Sequence, residues 1–382
     1  MTLQTTLRPA ARPNLLRKPL FLAAASLMAC AVALPASAAS WWETSPVSIG
    51  STQVNVRNKG ALGDGVHDDT AAIQAAINSL PTSGGTVVIP AGKYMINALK
   101  SINLRSHVRL QLDPSAQLVA IPNSSERYYI VRAYKVNNVE IVGGQIIGDR
   151  ANHKGSTGEW GYGINITASK NVNVRNVRVS NAWGDGLLIG ASGSGSTVVP
   201  STDVTIDNVV STNNRRQGLS ILPSQRVYIV NSTFSNTNGT KPEAGIDVEP
   251  QKQGTVKDLR IEKSVFSGNR GNGIEVRHNV SNLVITGNTI KSNNGFGIYT
   301  DSPSYGRISS NTITLNGLDG VGLLKTTHDF SLTNNTMTYN STRYYTQRGL
   351  SVYTLGSSSR DLQVDSTTYR ISISGNTLTP KR

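Results

Sequence analysis

The chain has 382 residues and a formal net charge of +14, and only 16% of its residues are charged. A chain of this length can bury a continuous core without disulfides or a structural metal. Its single cysteine, Cys30, lies in an N-terminal segment that we expect to be removed, which excludes a disulfide framework, a thiolate nucleophile and a cysteine metal site in the mature chain.

The first 38 residues have the features of a signal peptide. Four basic residues precede an apolar run over 20–34, and the small residues Ala36-Ser37-Ala38 follow it. We expect cleavage after Ala38, a secreted or periplasmic protein with a formal charge of +10, and no membrane segment after cleavage. Lipidation at Cys30 is a weaker alternative.

Residues 39–53 form a lead-in, and 54–382 are interpreted as a single domain because no linker or change of composition interrupts them. Asp68 or Asp69 is placed to cap a helix over 70–80, whose apolar residues recur on one face. A short helix at this point would shield the open end of a stack of strands.

The opening of this domain resembles a known superfamily. Residues 54–77 read Val-Asn-Val-Arg-Asn-Lys-Gly-Ala-Leu-Gly-Asp-Gly-Val-His-Asp-Asp-Thr-Ala-Ala-Ile-Gln-Ala-Ala-Ile, and residues 84–94 read Gly-Gly-Thr-Val-Val-Ile-Pro-Ala-Gly-Lys-Tyr. Both stretches are similar to the start of pectate-lyase-like β-helix proteins, which include rhamnogalacturonases, polygalacturonase-like hydrolases, mannuronan epimerases and phage tailspikes. The resemblance implies the fold but not the reaction, because one fold carries many chemistries.

A repeat runs through the last 220 residues. Each unit is a glycine followed by three residues that read mostly as strand, and the eight units begin at Gly163, Gly186, Gly218, Gly245, Gly273, Gly297, Gly320 and Gly349. A short, strand-rich period of this kind indicates stacked coils. The chain is therefore predicted to be all-β: a single-stranded right-handed parallel β-helix with a short N-terminal capping helix.

A second repeat supports the same architecture. Short strands end at Asn288, Asn311, Asn335 and Asn376 in closely similar contexts. Asn tolerates the left-handed conformation of a tight bend, and stacked amides can bond to one another along an axis. We therefore expect an asparagine ladder with a structural role.

Charged residues concentrate on three consecutive coils. Alternation along a strand places the residues two and four positions after each glycine on the outer, solvent-facing side, where Asp247, Glu249 and Glu275 occur. Asp247 and Glu275 would be stacked about 4.8 Å apart, and Asp247 and Glu249 about 6.6 Å apart. Both spacings are in the range of glycoside hydrolase carboxylate pairs, so these three residues are the candidate catalytic groups. Glu249 or Glu275 would act as the acid, and Asp247 as the base or nucleophile.

The neighbouring coils supply candidate substrate-binding residues. Aromatic rings stack on sugars, and arginines bind carboxylates bidentately. By these criteria the candidates are Trp183, Asp185, Arg215, Arg216, Gln217 and Arg277, with Trp160 and Tyr162 extending the same platform.

Glycosidic hydrolysis of an acidic polysaccharide is the favoured function, and a monomer is expected. The chain lacks the Asn-Thr-Asp, Asp-Asp, Gly-His-Gly and Arg-Ile-Lys motifs of polygalacturonases and the Asp-Pro-His-Glu motif of epimerases. A lyase or C5-epimerase stays open because the arginines could neutralise a uronate, and Ca²⁺ would then be a possible cofactor; otherwise none is expected. A non-catalytic glycan-binding protein is the third alternative. Basic residues are scattered and no nucleic-acid motif occurs, so a nucleic-acid partner is not expected.

Overall fold

The computed structural model describes residues 40–43 and 46–380, so the expected signal peptide, 1–38, lies outside the described residues. The described chain winds through three parallel sheets, and successive coils add one strand to each sheet. Strands in each sheet follow one another at intervals of one coil, and every pairing between them is parallel. The predicted all-β parallel β-helix is confirmed.

Sheets A and B each contain twelve strands, and sheet C contains ten. Sheet A consists of Thr52–Asn55, Gly85–Ile89, Val108–Leu112, Asn137–Val142, Lys170–Arg175, Ser201–Asp207, Ser224–Val230, Val256–Glu262, Val280–Thr286, Ser304–Ser309, His328–Thr333 and Tyr369–Ser374. Sheet B consists of Asp64–Asp68, Lys93–Ile96, Gln117–Ala120, Gln145–Ile147, Arg178–Ser180, Val210–Thr212, Thr233–Ser235, Val265–Ser267, Thr289–Lys291, Thr312–Thr314, Thr336–Thr338 and Thr377–Leu378. Sheet C consists of Ile102–Asn103, Arg127–Tyr134, Trp160–Thr167, Leu187–Gly190, Leu219–Ile221, Ile246–Val248, Ile274–Val276, Ile298–Asp301, Val321–Leu324 and Leu362–Val364.

Most of the recurring glycines lie directly before a strand of sheet C. A Cβ at Gly297 would lie 2.5 Å from the carbonyl oxygen of Gly320, the corresponding residue of the next coil. A side chain there would force the two coils apart. The repeat therefore marks close backbone contact between stacked coils, while alternate residues such as Ile246 and Val248 fill the core.

Helix α1, Thr70–Asn78, is the predicted capping helix and ends two residues earlier than expected. The Asp68 side chain accepts a hydrogen bond from the Thr70 backbone N–H. Asp69 instead accepts from the Leu62 and Gly63 backbone N–H groups, which anchors the preceding loop. Four 3₁₀ turns, Val56–Lys59, Gly195–Thr197, Gln251–Gln253 and Ser358–Arg360, complete the helical elements together with two short helices described below.

The predicted asparagine ladder is confirmed. The Asn311 side-chain carbonyl accepts from the backbone and side-chain N–H groups of Asn288, and Asn335 repeats this pattern with Asn311. The left-handed residue is the one before each ladder asparagine, for example Ser310 at φ 57°, rather than the asparagine itself. The asparagine remains in an ordinary conformation, and its amide is directed into the bend.

The eighth predicted glycine unit is wrong. Gly349 lies in a connection that contains helix α2, Thr342–Thr346, and helix α3, Val352–Leu355. The strand that continues sheet C is Leu362–Val364, which pairs with Val321–Leu324. Residues 339–361, called the insertion below, separate sheet B from sheet C on this coil. Six residues, 315–320, make the same connection on the coil before it.

The described part of the lead-in lies against the outside of sheet A. The Ser48 carbonyl bonds to the His107 ring, the Pro46 carbonyl accepts from the Asn171 side chain, and the Arg260 guanidinium lies 4.7 Å from the Trp42 ring centroid. These contacts lie at three separate coils along the axis. In the described residues, no helix is long and apolar enough to cross a membrane.

Candidate functional site

The three candidate carboxyl groups lie on the outer face of sheet C. Ile246 and Val248 are directed into the core, so Asp247 between them is directed outward. Glu275 is the direct register partner of Asp247 on the next strand, as the coil spacing predicted. The expectation that this position is open to solvent is wrong, because Asp247 is only 3% exposed and Glu275 only 2%. The outer face is covered here by the connections that enter sheet C and by their side chains.

The environment of Asp247 strongly perturbs its ionisation. Burial raises its pKa well above the usual range, and the neighbouring Glu275 and Glu249 carboxylates raise it further. The fully buried Gln217 amide donates to Asp247 Oδ2 at 2.7 Å, while Oδ1 has no hydrogen-bond partner. A protonated Asp247 therefore carries a proton that no described protein group receives.

The Gln217 side chain contacts Asp247 and is not accessible from solvent. Its Oε1 accepts from the Ala244 backbone N–H, which fixes the amide so that Nε2 is directed at Asp247. The side chain is fully buried. Gln217 is thus placed to position Asp247, and its contact with substrate stays a prediction.

Glu275 and Glu249 differ in how they are held. The Asn272 amide donates to Glu275 Oε2 at 2.7 Å, and Glu275 Oε1 forms an ion pair with Arg277. Arg277 also lies 3.8 Å from Asp301 Oδ2, which is in turn paired with Lys325. Glu249 is half-buried, and its carboxylate has no hydrogen-bond or ion-pair partner within the described part of the chain. Of the three candidates, Glu249 is the one free to engage a ligand.

Asp185 and Arg216 form a buried ion pair beside this cluster. Arg216 contacts Asp185 Oδ2 at 3.1 Å and Glu159 at 3.3 Å, and Ser220 donates to the same Asp185 oxygen. Burial raises the pKa of Asp185 to about 6, although Arg216 opposes that shift. Asp185 is fully enclosed, so its contact is with Arg216 rather than with a ligand.

Trp183 and Arg215 are engaged with the protein. The Trp183 ring stacks on His153, with centroids 4.0 Å apart, and the Arg215 guanidinium lies 3.8 Å from the Trp183 centroid. Arg215 also donates to the Gly158 carbonyl. His153 is held by Asp149, which also accepts from Tyr128. The aromatic platform predicted at Trp183 is thus occupied by protein groups, and a role in sugar binding stays a prediction.

The outer face of the preceding coils carries aromatic residues, of which sequence analysis found only some. Tyr129 and Tyr162 stack with centroids 5.7 Å apart, and Arg127 lies over Trp160. Tyr129 was missed because its strand, Arg127–Tyr134, precedes the glycine repeat. Tyr299, beside Arg277, was also missed as a site residue, because only ionisable positions were weighted on its coil.

Two cavities meet at Glu249. The groove has a volume of about 650 Å³ and is lined by Lys241, Pro242, Glu243, Glu249, Arg270, Gly271, Asn272, Glu275, Arg277, Phe296, Tyr299 and Leu318. The inner cavity has a volume of about 70 Å³ and is lined by Trp160, Tyr162, Leu188, Arg216, Ser220, Leu222, Asp247, Glu249 and Gln251. The inner cavity can hold one or two waters but not a sugar, whereas the groove is large enough for a sugar unit.

Other regions offer less chemistry. A cavity of about 640 Å³ at the corner of sheets A and B is lined by Arg109, Arg175 and Arg178 among others, but by no acidic residue. In the part of the chain that the structure describes, no three His, Cys, Asp or Glu side chains are arranged to hold a metal ion.

Two family models match this chain. The model described as "Rhamnogalacturonase A/epimerase, pectate lyase-like" matches residues 53–265, and that described as "Right handed beta helix region" matches residues 242–378. Together they extend over the described domain and confirm the right-handed β-helix.

Similar proteins include one without an assigned activity and two epimerases. The chain is 30% identical to the uncharacterized protein YclG of Bacillus subtilis, over 68% of this chain and 46% of that protein. It is 28% identical to the mannuronan C5-epimerase AlgE5 of Azotobacter vinelandii, over 73% of this chain and 26% of that protein. The chain thus spans less than half the length of these relatives. The solved A-module of the mannuronan C-5 epimerase AlgE4 from the same organism matches with a TM-score of 0.66 and 22% identity, over 86% of this chain and 96% of the module, which shows the shared fold alone.

Proposed function

This chain belongs to the rhamnogalacturonase A/epimerase, pectate lyase-like family, and from that premise we propose that it hydrolyses glycosidic bonds of an acidic polysaccharide along sheet C. One observation carries the proposal: burial and neighbouring carboxylates raise the pKa of Asp247 well above its usual range, one of its oxygens has no hydrogen-bond partner, and it shares the inner cavity with the unpartnered Glu249. Hydrolysis of a glycosidic bond requires one carboxylic acid and one carboxylate flanking that bond.

The electrostatics favour a different division of roles from the one that spacing alone indicated. The raised pKa of Asp247 suits it as the proton donor, and because Asp247 lines the inner cavity and not the groove, its proton would reach the glycosidic oxygen through a water in that cavity. Glu249, which lines the groove as well as the inner cavity, takes the proton from the attacking water. Glu275, bonded through both oxygens, holds Arg277 and keeps negative charge beside Asp247. Glu249 directly follows the strand Ile246–Val248 that contains Asp247. An extended spacing of two residues, about 6.6 Å, would favour an inverting reaction.

Three cationic side chains in the groove can bind an anionic substrate, although three acidic side chains balance their charge. Lys241, Arg270 and Arg277 line the groove, and arginine binds carboxylates bidentately. Export of a monomeric mature chain to the periplasm or the medium, where such polymers occur, is part of the same proposal.

The test is incubation of the protein with polyuronates and neutral glycans, following new reducing ends and unsaturated-uronide absorbance in parallel. We expect reducing ends without absorbance, with the inverted anomer in the first product detected by NMR. Asp247→Asn and Glu249→Gln should each lower kcat by about 10²-fold or more, because each removes a proton-transfer group. Asp258→Asn, on sheet A, is the matched control.

Elimination or epimerisation is the second candidate, and one contact favours it. Arg277 and Tyr299 lie together in the groove, with the guanidinium carbon 5.5 Å from the ring centroid, where they could neutralise a uronate and donate a proton. Reducing ends with absorbance would select the lyase, and a change of uronate configuration without cleavage would select the epimerase. Binding without any reaction on the full panel would select a glycan-binding protein.

A further inference from the structure

A cavity at the end of the groove is formed largely by the insertion, residues 339–361. It has a volume of about 380 Å³, and its lining includes Phe296, Leu318, Asp319, Arg343, Tyr344 and Arg360. On the coil before, a six-residue connection occupies the corresponding position. The insertion therefore adds a concave surface that the repeating coils alone do not provide.

Two arginines in this cavity are available to a ligand. Arg343 and Arg360 form no ion pair with any described carboxylate, in contrast to Arg216 in the inner cavity and Arg277 in the groove. Asp319, the acidic residue in the lining, receives a hydrogen bond from Ser341. Burial also raises its pKa. The cavity thus has excess positive charge.

The arginines are also held in place. The Arg360 guanidinium stacks 3.7 Å from the Tyr344 ring centroid, and Arg348 stacks 3.8 Å from the same centroid. Stacking on a ring face leaves the edge of the guanidinium, with its N–H groups, free for an oxyanion. Arg343 lies against Gly317, where a Cβ would be 2.9 Å from its side chain. A side chain at 317 would displace Arg343.

This cavity is continuous with the groove. Phe296 and Leu318 line both, and Leu318 is 36% exposed. Four coil steps separate the strand of Asp247 from Leu362–Val364, which corresponds to about 19 Å along the axis. A glycan bound at Glu249 would reach the insertion only if it extended over several sugar units.

We propose that the insertion forms a distal subsite in which Arg343 and Arg360 bind an anionic substituent of a glycan chain that occupies the groove. The apolar Phe296 and Leu318 face the intervening sugar rings. The subsite rests on the proposed function for the location of the chain, and it makes the protein selective for long acidic glycans over short ones.

Binding of uronate oligomers tests the subsite. Affinities for a galacturonate hexamer, a galacturonate dimer and the carboxyl-reduced hexamer are measured by calorimetry in the Asp247→Asn background. In the variant Arg343→Gln/Arg360→Gln we expect about tenfold weaker hexamer binding, equal to about 1.4 kcal/mol, with the dimer and reduced hexamer unchanged. Arg307→Gln, an exposed arginine on sheet A, is the control. Because the insertion could fail to fold, the exposed Arg343→Gln alone is measured as well, and thermal melting is recorded for each variant.

Hexamer affinity that is unchanged in the double variant, equal losses for hexamer and dimer, or no hexamer binding to the parent protein would each overturn the subsite. The outcomes separate the two proposals. Arginine-dependent hexamer binding with no cleavage of any glycan by the Asp247-containing protein would sustain the subsite and reject hydrolysis. Cleavage of a glycan, with hexamer binding that does not depend on the two arginines, would support hydrolysis and reject the subsite.

Discussion

Asp185 and Asp247 lie two coils apart, and burial raises the pKa of both carboxyl groups. Their surroundings nevertheless differ. Asp185 is paired with Arg216 and Ser220, whereas Asp247 is crowded by other carboxylates and receives one amide. A group with a cationic partner is suited to hold structure, and a group with an unbonded oxygen is suited to transfer a proton.

Replacement of Gln217 tests whether Asp247 is positioned as described. Gln217→Met keeps the side-chain length and removes the donor to Asp247 Oδ2. The ionised form of Asp247 loses stabilisation, so the alkaline limb of the pH–rate profile should move upward while kcat falls about tenfold. Gln225→Met removes a comparable amide contact to Asp258 on sheet A, and it should change neither the alkaline limb of the pH–rate profile nor kcat. A fall in rate with an unmoved limb would count against this role.

Replacement of Asp185 tests its ionisation through stability. The folded pKa of about 6 is above the ordinary 3.8, so folding takes up a proton between these values and stability falls as pH rises through that window. Asp185→Asn removes this loss. Between about pH 4 and pH 7, the free energy of unfolding of Asp185→Asn should rise by about 3 kcal/mol relative to that of the wild type.

Asp203 is the control for this measurement, with the opposite sign. Its hydrogen bond from Arg226 lowers its pKa, so its contribution to stability is lost as pH falls. The free energy of unfolding of Asp203→Asn should therefore fall relative to that of the wild type as pH rises. If both variants shifted in the same direction, the assigned Asp185 ionisation would be rejected.

At the scale of elements, the bends between sheets are held by buried amides in two ladders. The first contains the asparagines predicted from the strand endings. The second contains Asn269, Asn293, Asn316 and Asn340, and it ends at Asp361, whose Oδ1 accepts from the Asn340 backbone and side chain. An acceptor-only carboxylate in the insertion closes this ladder.

Asn316 is the position at which to test the second ladder. Its carbonyl accepts from Asn293, and its amide donates to the Ile290 carbonyl and to Asn340. Asn316→Ala leaves these buried groups without partners, which should lower the free energy of unfolding by about 3 kcal/mol, measured by urea denaturation. Asn294→Ala, at an exposed neighbouring position, should change it by less than about 0.5 kcal/mol. Equal effects would mean that the ladder is not a main source of stability.

Local sequence patterns predicted the elements that recur on every coil, but they did not predict the contacts and connections that differ between coils. The glycines mark the contacts between coils at Gly297 and Gly320, because the same steric limit recurs on every coil. Alternation along one strand also placed Asp247 beside Glu275. The contact with Gln217, thirty residues earlier, depends on how a connection of variable length closes over sheet C. For the same reason the glycine at 349 was mistaken for another coil.

At the scale of the whole molecule, the fold separates stability from recognition. The core is a stack of apolar side chains, and each coil contacts mainly its neighbours, so changes in the connections entering sheet C leave the stack intact. The groove, the inner cavity and the insertion are all built from those connections or from the outer face of that sheet. Substrate choice can therefore vary while the coils are retained.

The net positive charge, +14 for the full chain and +10 after the expected cleavage, gives a prediction for the molecule as a whole. If the substrate is a polyanion that extends from the groove to the insertion, several arginines and lysines act on it together, and salt should screen their attraction. Between about 0.05 M and about 0.5 M NaCl, kcat/KM on an acidic polymer should fall by about tenfold through KM, because added salt screens the attraction between these cations and the polymer.

A neutral glycan provides the comparison for the salt series. Its kcat/KM, where measurable, should be nearly independent of salt, since sugar rings without charge bind through apolar and hydrogen-bonding contacts. Arg343→Gln/Arg360→Gln should flatten the salt dependence for long acidic chains, because two of the contributing charges are removed. A salt effect of equal size on acidic and neutral substrates would show that ionic strength acts on the protein itself, and the charge-based account of substrate choice would then fail.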